Sequence, residues 1–141
     1  MTRRRRNGQR GQSVTEFALV APLFILFVAG LVQTGLYFYR TETLADAVRS
    51  AARAALTCRV NQTVVPGSVG SQSASSSFGT VTWTIQDLTS GSSSTSACPS
   101  PIVTGDDIKV TGVASSGNMG WPVLGSIFPS TISSDLTVVA E

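Results

Sequence analysis

Apolar and polar positions follow two different rhythms along this chain, and the change falls near residue 60. From Phe17 to Tyr39 no charged residue interrupts 23 consecutive positions, broken only by Pro22 and a few small or weakly polar residues. As a helix that run is roughly 34 Å long, enough for a hydrocarbon layer of about 30 Å. Tyr37, Phe38 and Tyr39 close the run as an interfacial aromatic belt would, and Arg40 follows. Proline is tolerated in membrane helices, with a local kink expected at Pro22. The helical pattern then continues through TETLADAVRSAARAALT at 41–57, which is rich in Ala and Leu and free of Gly and Pro. Leu44, Val48, Ala51 and Ala55 recur at helical spacing as one apolar stripe. Asp46 and Arg49 can pair at i, i+3, while Arg49 and Arg53 share the opposite face. The expectation is one helix over 12–57, opening at about Ser13, with its membrane span at 17–39 and a continuation over 40–57. Such a helix cannot cover its own exposed half, so partners or a docked domain must.

Beyond Val60 the helical period disappears and Val, Thr, Ser and Gly dominate. Val81–Ile85 and Ile108–Thr111 alternate apolar with polar residues, and Leu136–Val139 is a third strand-like run. SQSASSS at 71–77 and TSGSSSTS at 89–96 read as mobile low-complexity loops. Gly105-Asp106-Asp107 reads as a turn entering the second strand, and Gly120-Trp121-Pro122 with Phe128-Pro129 as a bent connection before the last. The fold class is therefore α+β: a long N-terminal transmembrane helix followed by a small antiparallel β-rich domain at 58–141. With few apolar strand positions, that domain is expected to be marginally stable alone.

Charge sharpens this division. The net charge of +2 averages two unlike parts: Arg3, Arg4, Arg5, Arg6 and Arg10 precede Gly11, whereas from Gln12 onward five basic residues face eight acidic ones. A nucleic-acid binder spreads Lys and Arg over a folded face, so no nucleic-acid partner is expected. By the positive-inside rule the five arginines hold the N-terminus in the cytoplasm and place everything after Arg40 outside. A cleaved secretory signal fits less well. Its apolar core is about 7–15 residues with small residues at the cleavage site, and only Val28-Ala29-Gly30 imitates that here. In an oxidising compartment Cys58 and Cys98 are placed to form a disulfide, worth up to about 4 kcal/mol by loop closure. The alternative is a pair of free thiols. Two cysteines without a histidine make no zinc site, so no metal is expected.

The junction RGQSVTEF at 10–17 admits two readings. In one, Ser13 is a helix N-cap and Glu16 completes a capping box, with the carboxylate favoured near the positive end of the helix dipole. That accounts for Ser13 and Glu16 but not for Gly11 behind a polybasic leader. In the other, the segment resembles the class III signal of type IV pilin-like proteins: a short basic leader ending in Gly, a glutamate five residues later, and an apolar helix. The resemblance implies processing by a prepilin peptidase between Gly11 and Gln12, with residues 1–11 as leader. It also implies that Glu16 of one subunit neutralises the new amine of a neighbour during assembly.

EFALVAP at 16–22, the Gly30 region and DAVRSAARAA at 46–55 extend that likeness. Together they resemble the TadE-like family of pseudopilins, the minor pilin-like components of tight-adherence (Tad/Flp) pilus systems. Two positions depart from the pattern: Gln33 stands where the family often has an acidic residue, and Gln12 is an unremarkable first residue. The resemblance implies a single-pass protein of the bacterial cytoplasmic membrane, N-in and C-out, whose partners are a prepilin peptidase, other pilins, Tad platform proteins and membrane lipid. A major pilin subunit is disfavoured by the sizeable β-domain. From a different class comes the alternative of a permanently anchored single-pass protein whose β-domain binds a surface partner.

Other candidates have plainer readings. Asn61-Gln62-Thr63 is a glycosylation sequon that the bacterial resemblance makes coincidental, and Asp106-Asp107 could join a Ca²⁺ site but suits a turn. The serine tracts could carry O-glycans but suit solvated loops, and Trp83 and Trp121 suit core anchors. With no histidine, no nucleophile elbow and no phosphate loop, neither catalysis, a cofactor nor a small-molecule substrate is expected.

Overall fold

In the computed structural model the described residues are 12–61, 63–74, 78, 80–99, 102–115 and 129–141. Helix α1 runs without interruption over Gln12–Thr57 and continues through Pro22. It opens one residue ahead of the Ser13 cap position, a difference within the usual scatter of helix ends. The chain divides into two compact units, Met1–Gly35 and Leu36–Glu141, so the division falls inside α1. The first unit is, in its described part, helix alone. The second joins the remainder of α1 to everything that follows.

Within the second unit, Leu44, Ala47, Val48, Ala51, Ala52 and Ala55 form the buried face of α1. They share one core with Trp83, Ile85, Ile108, Val110, Ala114 and Ile132 of the sheet. The stripe Leu44, Val48, Ala51, Ala55 read from periodicity is thus the packing face. Its alanines let the helix approach the sheet closely, and β3 answers with Gly112, where an added Cβ would lie 3.0 Å from Val48 Cγ2.

The sheet has four antiparallel strands in the order β2-β1-β3-β4, with β1 at Val81–Asp87, β2 at Ser93–Ser94, β3 at Asp107–Ser115 and β4 at Thr131–Val139. Val81 faces Ala114 at one end of the β1–β3 ladder and Asp87 faces Ile108 at the other. Asp107 pairs with Val139 and Ser115 with Thr131 across β3–β4. Each expected strand is present and longer than its apolar pattern, because strand ends can pair through the backbone without burying side chains. In β3 the inward set is Ile108, Val110, Gly112 and Ala114, as a period of two requires.

Parts of two segments read as loops, 71–74 and 93–94, belong to regular elements instead, while 75–77 lie outside the described residues. Pro66–Ala74 forms helix α2, although its glycines and serines are poor helix formers. Pro66 suits the first helical position, and packing overrides propensity in the rest. Gly67 and Gly70 lie against Ser96 and Trp83, and the Trp83 indole N–H donates to Ser71 Oγ at 2.8 Å. The second loop contributes Ser93–Ser94 as β2, pairing with Ile85 and Gln86 of β1. Trp83 is 3% exposed and is the expected core anchor. Gly105, with φ of +94°, makes the expected turn into β3. Trp121, with the connection 116–128, lies outside the described residues.

Cys58 and Cys98 are bonded, with their Cα atoms 5.7 Å apart, which ties the end of α1 to the segment after β2. Arg59 adds a second tie, donating to Thr104 Oγ1 at 2.7 Å and to the Glu141 carbonyl at 2.9 Å.

Two outcomes test this packing on the full chain in detergent. Gly70→Ala places a Cβ 2.5 Å from the Trp83 ring and 3.0 Å from Ala51 Cβ, and should destabilise the second unit by about 1–3 kcal/mol in thermal or urea unfolding. Replacing Cys58 and Cys98 together by serine should cost about 2–4 kcal/mol by the same measurement, while α1 stays helical by circular dichroism.

Candidate assembly site on the N-terminal helix

The described part of the first unit begins at Gln12 and shows apolar side chains in every direction. Phe17, Leu19, Val20, Leu23, Phe24, Ile25, Leu26, Phe27, Leu31 and Val32 are all exposed. A helix apolar all round is stable in water only when covered; otherwise it belongs in lipid or among other helices. Among the described residues, this helix is the one long and apolar enough to cross a membrane. A long apolar helix followed by a small β-sheet domain fits a single-pass membrane protein.

Glu16 is exposed on this surface, four positions after Gln12 and so about 6 Å further along the helix axis. It is the one carboxylate before the apolar run, where an unneutralised charge is costly. Gly11 and the leader before it lie outside the described residues, and of Gln12 only the backbone is described. The structure therefore places Glu16, and the predicted cleavage junction at Gly11 lies outside the described residues. Gln33 is a residue whose weight the sequence understated. Its side chain is 4% exposed and neither amide atom has a hydrogen-bond partner. Its signal was present as the one amide side chain in the charge-free run.

The other sequence candidates resolve into structural parts. Asn61 Oδ1 accepts from the Thr63 N–H at 3.0 Å and the Thr63 hydroxyl at 2.5 Å, a side-chain-closed turn. Asp106 Oδ2 accepts from the Val103 N–H at 2.6 Å, and the Asp106 carbonyl from the Ala140 N–H, so this acid braces the turn before β3. Among the described residues no group of three or more His, Cys, Asp or Glu is placed to hold a metal ion.

Asp87, at the end of β1, is a site that alternation alone does not single out. Its carboxylate is buried and accepts from the Ser90 hydroxyl at 2.5 Å, the Thr89 N–H at 2.8 Å and the Ser90 N–H at 3.2 Å. The Ser90 hydroxyl is the main cause of an acid pKa held below the usual value; burial opposes it, and the two N–H groups reinforce it. The carboxylate thus closes the turn that Gly91, with φ of +74°, allows to reverse into β2.

Residues 11–53 match the family model described as TadE-like protein. This agrees with the resemblance carried by EFALVAP and DAVRSAARAA. The match covers α1 to within about its last turn and none of the strands. No curated protein and no solved structure matches the chain.

Asp87 supplies a pH test. A carboxyl whose folded pKa lies below its unfolded value adds stability that is complete above the unfolded pKa, near 3.9, and is lost as pH falls through the folded one. Wild-type stability should therefore drop below about pH 4, and Asp87→Asn should flatten part of that drop while lowering stability at pH 7. Urea unfolding of the two chains across pH 2–7 checks both.

Proposed function

We propose that the chain is a pseudopilin, a minor pilin-like component of a Tad-type pilus, with a structural rather than catalytic task. In this reading it inserts N-in and C-out in the bacterial cytoplasmic membrane. A prepilin peptidase cuts between Gly11 and Gln12, and α1 then packs among other pilins and the Tad platform proteins. The β-sheet domain is outside the membrane and available for subunit contacts or adhesion. One coincidence carries the proposal: the family match opens at Gly11, the five leader arginines all lie before that point, and Glu16 follows it by five residues at the edge of the charge-free run.

The chemistry of such a cut is coherent. Hydrolysis of the Gly11–Gln12 amide leaves a carboxylate on the leader and an α-amine on Gln12, with an ordinary pKa of about 7.7–8. The arginines that set orientation leave with the leader, so the helix can be withdrawn from the membrane without moving their charge. The new ammonium stands at the positive end of the helix dipole, an unfavourable place for a cation. Glu16 of a neighbouring copy can neutralise it, and the pair then offsets part of the cost that either charge carries in lipid.

Mass spectrometry of the membrane-purified protein should find Gln12 as the mature N-terminus, and Gly11→Phe should leave the leader attached. Glu16→Gln should reach the membrane at wild-type levels yet fail to enter pili. An intact Met1 or Thr2 terminus in piliated cells would overturn the processing step and return the permanently anchored reading.

A further inference from the structure

The part of α1 in the second unit has a second face that the core does not use. Glu42, Asp46, Arg49, Arg53 and Leu56 are exposed, while Leu44, Ala47, Val48, Ala51 and Ala55 between them are buried. The exposed set is spaced 4, 3, 4 and 3, the step of a seam along which two helices run side by side. Its charges are sorted by sign, two acids followed by two arginines.

That order is unfavourable for one helix alone. Glu42 and Asp46 are a like-charge pair at i, i+4, and so are Arg49 and Arg53. Asp46 and Arg49 meet at 2.6 Å where the two halves join, with side chains 69% and 58% exposed. Among the described residues no ion pair relieves the outer members, Glu42 and Arg53. Alternating signs would have given favourable i, i+4 pairs from the same residues. Sorted signs become favourable only when an acidic half meets a basic half from elsewhere.

We infer that this face docks a second copy of the chain, parallel to the first and displaced by one heptad along the helix axis. Glu42 and Asp46 of one copy then lie against Arg49 and Arg53 of the next, at an axial step of about 10 Å. Displacement by seven residues keeps equivalent seam positions opposite each other, 42 against 49 and 46 against 53. An undisplaced parallel pair would set each charge against itself. An antiparallel pair would also match the signs, but copies inserted in one membrane with the same orientation enter the seam in the same direction. Each docked pair leaves one basic and one acidic half unused at its ends. The contact is therefore heterologous and repeats into an open array. Exposed ion pairs add little affinity, so this seam sets register and leaves the holding of copies together to the membrane helices. The inference rests on the proposed pilus reading for parallel copies side by side in one membrane.

Cross-linking of full-length chains in membranes tests it. Two differently tagged copies, one with Asp46→Cys and the other with Arg53→Cys, should join through a short thiol cross-linker, as should Glu42→Cys with Arg49→Cys. Cys58 and Cys98 are bonded to each other and do not compete. Predominant joining of Asp46→Cys to itself would mean an undisplaced pair, and joining of Asp46→Cys to Arg49→Cys an antiparallel one; either overturns the inference, as does no cross-link. A charge arm reads register rather than association. With Asp46→Cys in one copy and Arg53→Cys in the other as reporters, adding Glu42→Arg to the first should weaken their cross-link severalfold, and adding Arg49→Glu to the second should restore it. A cross-link that Glu42→Arg leaves unchanged also overturns the inference. A Gln12 terminus without the 46–53 cross-link leaves the pilus reading standing and sinks the seam. The cross-link with an intact leader does the reverse.

Discussion

One uninterrupted ladder of backbone hydrogen bonds, from Gln12 to Thr57, is the constraint on which the other features depend. Lipid offers no partners for peptide N–H and C=O groups, so a chain crossing it must satisfy them within the segment, as a helix does. Beyond the apolar run the same helix continues, and its side chains must then suit a different surrounding. The composition changes accordingly, from large apolar groups on all sides to alanines on one face and charges on the other.

Those alanines belong to the core that the sheet completes. The Trp83 ring occupies the space that Cβ atoms on Gly70 and Gly112 would need, near Ala51 and Val48. Leu44, Ile85 and Ile108 are fully buried in the same core, and α2 reaches the Trp83 ring through Gly70 and Ser71. The domain needs these contacts because it is small. A closed disulfide, the Arg59 tie and the buried Asp87 turn each reduce the freedom of a segment that has few apolar contacts of its own.

Function, in this arrangement, is carried by surfaces left uncovered. The apolar girdle with Glu16 at its start and the charge-sorted stripe from Glu42 to Arg53 belong to the same helix, and both are unfavourable for an isolated molecule in water. On the proposed reading the first finds its surroundings in lipid and among neighbouring helices, and the second in another copy. Gln33, buried with an unbonded amide, is the remaining unfavourable group on that helix.

Much was determined by sequence alone. The charge-free run, the alanine stripe, the change to a period of two and the pair of cysteines required a long helix, a small antiparallel sheet and a candidate bridge, because each rests on local periodicity or residue chemistry. The expected leader junction at Gly11 and the expected role of Glu16 come from motif alone, which does not depend on what lies near it in space. Tertiary structure decided what local pattern cannot carry. Pro66–Ala74 is helical because Gly67 and Gly70 fit against Ser96 and Trp83, although glycine and serine disfavour helix on their own. Asp87 is buried because the turn supplies three donors within 3.2 Å, whereas an acid at the end of a strand is ordinarily solvated. The sorted charges on α1 became a surface only once the sheet had covered the opposite face, since burial is a property of neighbours that may lie far away in the chain.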